Sequence, residues 1–194
     1  MAEKKLLKLD DVINLNGRVI IELHKEYLNA SLVNLQSLVK FTKQFVKAKG
    51  IRIWDNEGTE YFDFLGGYGS LNHGHNHPKV LAALEKAKTY PNLLQAAINP
   101  FAGALAHNLA QITPGSLQRS FFCNSGAEAV EGALKLARIS SGKTKFISAL
   151  NSFHGKSFGA LTATGREKYQ APFSPLLPNF SYFPFGDSTR LEEL

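Results

Sequence analysis

The chain has 194 residues, 44% hydrophobic and 20% charged, a balance that excludes disordered, collagenous and coiled-coil classes and suits one large or two small folded domains. Lysine and arginine outnumber aspartate and glutamate by 22 to 16, giving +6. Nine of those basic residues lie among the first fifty, against five acidic ones, with no arginine cluster or basic-aromatic motif, so the excess reads as solvated helix faces and argues against a nucleic-acid partner.

The single cysteine, Cys123, excludes an internal disulfide framework or a cysteine-rich zinc site and fits a reducing compartment. No apolar run reaches membrane-spanning length, and the opening MAEKKLLKLD lacks the apolar core of a secretory signal, so the expected location is cytoplasmic, with no membrane partner.

From Arg18 to Lys49 apolar residues recur at helical spacing (Leu28, Leu32, Leu35, Val39, Phe45 or Val46), with Gly50 as a stop and Asn29 and Ser31 as a break point. Residues 51–54 and 60–65 read as two strands of a hairpin across Asp55-Asn56-Glu57-Gly58-Thr59. A glycine-rich loop, Gly66-Gly67-Tyr68-Gly69-Ser70, follows. Pro78 opens a helix that ends before Pro91, and a second runs from Pro100 to Ile112. Strands and helices then alternate: strand 120–123, helix 126–139, strand 145–149 and helix 156–162, with a further short strand at 182–185. That alternation is α/β grammar. No internal repeat or low-complexity tract interrupts it.

Two junctions carry the chemistry. In Phe122-Cys123-Asn124-Ser125-Gly126-Ala127-Glu128, an apolar strand runs through Asn-Ser-Gly into a helix, with Ser125 and Glu128 at capping-box spacing. Glycine permits close backbone approach, and free amides with the helix dipole attract an anion, so the junction is either a phosphate seat or a cap satisfied by itself. Asn151-Ser152-Phe153-His154-Gly155-Lys156 follows the next strand, where the ends of an open α/β sheet form a ligand crevice. Phe153 there suits stacking on a flat ring or filling a core, and His154 a ligand contact or a structural hydrogen bond.

Other patterns lack a required part. Gly142-Lys143-Thr144 has Ala137 where a phosphate-binding loop needs glycine, and Gly67-x-Gly69 lacks the third glycine of a dinucleotide fingerprint. His73, His75 and His77 alternate, but their loop has no carboxylate, which disfavours a metal. Cys123 ends a buried-looking strand with no assignable histidine partner. Ser125 lacks a Gly-x-Ser-x-Gly setting, which argues against a hydrolase.

Asn72-x-Gly74-His75-x-His77-Pro78, the run from Phe122 to Glu131 with Lys135-Leu136-Ala137-Arg138, and Phe153-His154-Gly155 together resemble the class III pyridoxal-phosphate-dependent aminotransferases, in that family's order and spacing. Within the group, Phe121 to Gly126, Phe153 to Leu161 and Pro175-Leu176-Leu177-Pro178 look most like the putrescine-specific enzymes. The resemblance implies a fold-type I transferase of α/β class, a homodimer in complete form, with pyridoxal 5'-phosphate as cofactor. It implies that Ser125, Gly126 and Ala127 bind the cofactor phosphate, that Phe153 stacks on the pyridine ring, and that His154 lies beside it. Tyr68 and Lys156 match positions facing substrate. The reaction implied is transfer of an amino group from an amine or ω-amino acid, a putrescine-type diamine being favoured, to an oxo acid such as 2-oxoglutarate.

Lys156 stands where relatives that grip an α-carboxylate often carry arginine; an ammonium gives a point charge rather than a two-pronged fork. That suits a diamine enzyme but repels the diamine itself, so an outward-turned, an oxo-acid-facing and a merely solvated lysine stay open.

The resemblance further implies that the Schiff-base lysine and the aspartate holding the pyridine nitrogen belong to a later stretch. No catalytic residue is therefore assigned here, and the 194 residues alone are expected not to complete a transamination. They read as the N-terminal part of the family fold: residues 1–65 as a helical segment and hairpin of the small domain, 66–194 as the first part of the large cofactor-binding domain. Exposed apolar surface, poor solubility or self-association are then expected. Two alternatives stand beside this reading: a non-catalytic remnant binding a phosphate compound or a full-length partner, and, within the family, an acetylornithine, ornithine or 4-aminobutyrate enzyme.

Overall fold

The computed structural model describes residues 6–92 and 97–194. The first five residues, part of the stretch read above for a secretory signal, lie outside the described residues. The chain forms two compact units, residues 1–95 and 96–194.

The first unit opens with α1 (Leu9–Ile13) and α2 (Gly17–His24). Asn16 caps α2 by accepting the Val19 N–H at 3.1 Å. A π-helical stretch, Lys25–Asn29, leads to α3 (Ala30–Leu38). Asn29 accepts the Leu32 N–H at 2.9 Å, so the break expected at this residue is an N-cap, the role for which a short side-chain carbonyl is suited.

The long helix expected as far as Lys49 stops eleven residues short. Lys40 takes a positive φ of 56°, and residues Phe45–Lys49 form strand β1. It pairs antiparallel with β2 (Arg52–Asp55), which pairs antiparallel with β3 (Glu60–Phe62). Phe45 and Val46 fit either period; the ladder with β2 decides, because pairing satisfies backbone groups that local propensity leaves undetermined. Gly50, expected as a helix stop, instead lies in the two-residue connection of β1 to β2 with φ 60°, a backbone geometry that favours glycine.

Asp55 organises the hairpin. Its buried carboxylate accepts the Glu57 and Thr59 N–H groups at 3.0 and 2.9 Å, the Tyr61 hydroxyl at 2.9 Å and the Lys43 ammonium at 2.9 Å. The Lys43 ammonium, ahead of the other donors, draws the Asp55 pKa down to about 2, and the same contact raises that of Lys43. After β3 comes the single left-handed turn α4 (Gly66–Gly69), whose four residues all have positive φ, and then α5 (Pro78–Ala87), with Pro78 at its first turn as expected.

The second unit contains α6 (Pro100–Ile112), α7 (Gly126–Ser141), β4 (Phe146–Ala149), α8 (Phe158–Ala163), α9 (Glu167–Gln170), β5 (Phe180–Phe183) and α10 (Ser188–Glu192). β4 and β5 are parallel, in register Phe146 to Phe180 and Ala149 to Phe183. Their connection passes through α8 and α9, as a parallel pair requires a crossover. The last strand spans Phe180–Phe183 rather than the expected 182–185: it starts where Phe180 pairs with Phe146 and stops before Pro184, which has no N–H for the ladder.

Helix α8 is the buried core: Ala160, Leu161, Thr162, Ala163 and the following Thr164 are all buried. Its polar groups are paired. The Thr162 hydroxyl donates to the Phe158 carbonyl, and Gln170 Nε2 reaches the carbonyls of Leu161, Thr162 and Thr164 at 3.1, 3.0 and 2.6 Å. Those carbonyls lie at the helix C-terminus, where no intrahelical donor remains.

The strand expected at 120–123 is not formed. Among the described residues this stretch has no ladder partner, and apolar character alone does not make a strand. Phe121 and Phe122 are exposed, as is Cys123, which corrects the expectation of a buried strand end. Many other large apolar side chains face outward, including Phe64, Ile98, Phe185, Leu38 and Ile139. Among the described residues no helix is long and apolar enough to cross a membrane.

Candidate functional site

Ser125 is the N-cap of α7, with extended φ and ψ of −151° and 160°. Its hydroxyl oxygen accepts the Glu128 N–H at 3.2 Å. The expected capping box is displaced by one residue: the Glu128 carboxylate accepts from the Asn124 N–H at 2.5 Å rather than from that of Ser125. The Ser125 hydroxyl hydrogen and the amides of Gly126 and Ala127 at the helix start have no partner among the described residues. Open space surrounds the position of a Cβ on Gly126.

The second junction lies against the same helix. Gly155 has φ 136°, and a Cβ there would stand 2.8 Å from that of Ala127, so only glycine lets the Phe153–Lys156 loop sit on the first turn of α7. One turn on, the Glu131 carboxylate accepts the Ser157 hydroxyl at 2.6 Å and the amides of Gly159 and Ala160 at 2.8 and 3.1 Å. It therefore caps α8 from α7. Gly159 is buried with the carboxylate where a side chain would go.

His154 is fixed at both ends. Its N–H donates to Thr164 Oγ1 at 2.9 Å, and its Nε2 lies 3.3 Å from Ser148 Oγ. The one hydroxyl hydrogen of Ser148 goes to the Ala163 carbonyl at 2.6 Å, so Nε2 is the donor to Ser148, and in the neutral ring Nδ1 is then the acceptor. Phe153 beside it is 57% exposed, a ring face without a core to fill. Lys156 is exposed.

The structure thus brings together Ser125, Gly126, Ala127, Phe153 and His154. Glu131, Ser148, Thr164 and Gly159, which hold that arrangement, were not singled out from sequence. Only the Glu131 contact left a signal there, as a carboxylate four residues after Ala127 on one helix face.

Tyr68 belongs to the first unit. It is 91% exposed with φ 56°, between Gly67 and Gly69 at positive φ. The loop is anchored by Asp63, whose Oδ1 accepts the Leu65 and Gly66 N–H groups, each at 3.0 Å, while Oδ2 meets His75 Nε2 at 2.8 Å. The Gly66 amide, then His75, holds the Asp63 carboxyl below its ordinary pKa. A carboxylate absent from the histidine loop in sequence is therefore supplied by the hairpin. His75 also exchanges backbone bonds with Gly50 at 2.7 and 2.9 Å, and among the described residues no group of three or more histidine, cysteine or acidic side chains is placed to hold a metal.

The donor set at residues 125–127 suits a phosphate: one hydroxyl and two unspent amides at a helix N-terminus. An exposed aromatic and a fixed imidazole next to it suit a planar ring joined to that phosphate. The residues present fit a pyridine phosphate.

Known proteins resemble this chain over most of its length. A putrescine aminotransferase of Pectobacterium atrosepticum is 41% identical over 196 residues, which cover 96% of this chain and 42% of that protein. The ornithine aminotransferase of Toxoplasma gondii superposes with a TM-score of 0.81 at 29% identity, over 95% of this chain and 44% of that one. The taurine:2-oxoglutarate aminotransferase of Bifidobacterium kashiwanohense, solved with pyridoxal phosphate and glutamate, gives 0.75 at 32% identity over 88% and 38%. The chain spans less than half the length of these relatives. Aminotransferase class-III is matched over residues 36–194, and the chain belongs to that family.

Proposed function

We propose that this chain provides the phosphate seat and one ring face of a pyridoxal-phosphate-dependent aminotransferase that takes nitrogen from a putrescine-type diamine and passes it to an oxo acid such as 2-oxoglutarate. The observation that carries the cofactor reading is the pair of free amides at Gly126 and Ala127, with the Phe153–His154 loop seated on the same helix turn through Gly155. Ser125, Gly126 and Ala127 hold the phosphate, Phe153 covers one face of the ring, and His154 offers Nδ1 at its side. When bound, the cofactor supplies a carbonyl that accepts the amino group and a ring that withdraws electrons.

The diamine reading is supported by the 41% identity to an enzyme named for putrescine and by Lys156 in place of a forked arginine. Tyr68 lines the substrate entrance. The complete protein is a cytoplasmic homodimer in polyamine metabolism, with residues 1–65 in its small domain and 66–194 in the large one.

No lysine within residues 1–194 stands in the family's Schiff-base motif, so this polypeptide alone binds the cofactor without turning over. Mixing it with pyridoxal phosphate and following the absorbance spectrum tests the seat; Ser125→Ala and added inorganic phosphate both weaken binding, and a spectrum indifferent to both refutes the seat. Borohydride reduction then yields no stoichiometric lysine adduct, and glutamate does not form from putrescine and 2-oxoglutarate; adduct with turnover would refute the inactivity. In an enzyme of the relatives' full length carrying this segment, Lys156→Arg shifts preference from putrescine toward acetylornithine, and unchanged preference removes Lys156 from substrate choice.

A further inference from the structure

We infer that Glu131 is a positioning residue for the cofactor ring, holding the Phe153–His154 loop in place without touching the ligand. The inference rests on the cofactor reading above and extends it to a side chain outside the seat.

Ala127 and Glu131 are four residues apart on α7 and share one face of it. The segment from Phe153 to Ala160 meets that face twice. Gly155 lies on Ala127, close enough to exclude any Cβ. Four to five residues later, Gly159 and Ala160 donate their amides to Glu131 Oε1, and Ser157 adds its hydroxyl to the same oxygen. One carboxylate oxygen thus takes three donors from the first turn of α8, where an anion is favoured by the helix dipole and by amides with no intrahelical acceptor.

Phe153 and His154 lie just before the first of these fixed points. His154 has its own anchors at Thr164 and Ser148, but the Phe153 ring is 57% exposed and has no polar group through which a hydrogen bond could fix it. Its placement over a ring held from residues 125–127 depends on the loop's two attachments to α7. The seat itself precedes Glu131 by a full turn and uses none of its contacts. Removing the carboxylate therefore loosens the ring face and spares the phosphate seat, a separation that general destabilisation does not produce.

The test compares wild type, Glu131→Gln, Glu131→Ala and Ser157→Ala in the 194-residue chain. Pyridoxal phosphate affinity is read from absorbance titration, inorganic phosphate affinity from competition, and folding from circular dichroism. Amide exchange at Gly159 and Ala160 reports the contact directly. Glu131→Ala should raise the dissociation constant for pyridoxal phosphate by about tenfold or more, with that for inorganic phosphate within about twofold of wild type. Glu131→Gln keeps an acceptor oxygen without the charge and should recover part of the loss, binding pyridoxal phosphate about threefold more weakly than wild type, and Ser157→Ala should lie between it and wild type.

Equal loss of both affinities, or a folded Glu131→Ala with unchanged pyridoxal phosphate affinity and faster exchange at the two amides, would overturn the inference while leaving the seat intact. If Glu131→Ala does not fold, Glu131→Gln and Ser157→Ala decide, and wild-type affinity in both overturns it. A wild-type chain that binds neither ligand overturns the cofactor reading and this inference together, and normal amide protection at Gly159 and Ala160 identifies that case.

Discussion

Gly155 rests on Ala127 so closely that a Cβ at residue 155 would lie 2.8 Å from that of Ala127 and 3.0 Å from that of Ala160. Two sequence motifs 28 positions apart therefore form one surface. Gly155→Ala has to fit a methyl into that contact at a φ of 136°, at a cost of roughly 2–4 kcal/mol from strain and overpacking. Gly126→Ala meets open space at the helix start and should keep or slightly raise the melting temperature, while the methyl blocks close approach of a phosphate. Thermal denaturation and pyridoxal phosphate titration of the two variants should separate: Gly155→Ala loses both stability and binding, Gly126→Ala binding alone. A stable Gly155→Ala that retains the cofactor contradicts the shared surface.

The site was legible in sequence to the extent that it is local. Ser125-Gly126-Ala127 is a strand-exit and helix-start pattern within one turn, and its capping serine is where spacing placed it, with Glu128 reaching Asn124 rather than the cap residue. Pro78 likewise opens α5 where the sequence placed it, whereas Asn99 and Gly142, which cap α6 and α7, carry the same kind of local signal and were not read as caps. What escaped depends on partners far along the chain. Phe45–Lys49 is a strand because β2 pairs with it, residues 120–123 are not because nothing among the described residues does, and Glu131 matters through amides 28 and 29 residues away.

The histidine loop functions as a latch on the hairpin. Gly74 has φ 71°, and a Cβ there would lie 2.7 Å from the Gly50 carbonyl oxygen; beside it Asn76 donates its side-chain amide to the Ala48 carbonyl at 2.8 Å. Gly74→Ala should cost about 2 kcal/mol or more, through both the left-handed backbone and the contact with main chain that has no rotamer to yield. His75→Ala breaks the Asp63 contact and should increase exchange of the Leu65 and Gly66 amides. Hydrogen exchange by mass spectrometry checks both, and unaltered protection of residues 63–70 in His75→Ala would separate the latch from the Tyr68 loop.

The Cys123 thiol should be open to reagents in the native chain. Its side chain is exposed and makes one weak contact, from Sγ to the Ser125 carbonyl at 3.4 Å. A chromogenic disulfide reagent should react with one thiol per chain without denaturant, at a rate that urea raises by no more than about tenfold. A thiol that reacts only after unfolding would place residues 120–123 in a buried strand.

Acid should act first on the β2–β3 hairpin. The folded Asp55 pKa of about 2 lies below the ordinary aspartate value of 3.8, because the Lys43 ammonium, the Thr59 and Glu57 amides and the Tyr61 hydroxyl all favour the carboxylate. Between those two values the unfolded chain binds the proton that the folded chain refuses. The stabilisation is therefore complete above about pH 5 and is lost as pH falls through 4 toward 2. Asp63, lowered by the Gly66 amide and His75, acts in the same direction. At the alkaline end the raised Lys43 pKa gives the mirror case: its contribution holds below 10.5 and is lost at higher pH as the ammonium deprotonates. Asp55→Asn keeps an acceptor but loses the charge, so its melting temperature should be lower at pH 7 and converge on wild type near pH 2. Parallel stability curves for the two proteins from pH 7 down to 2 would contradict the ion pair.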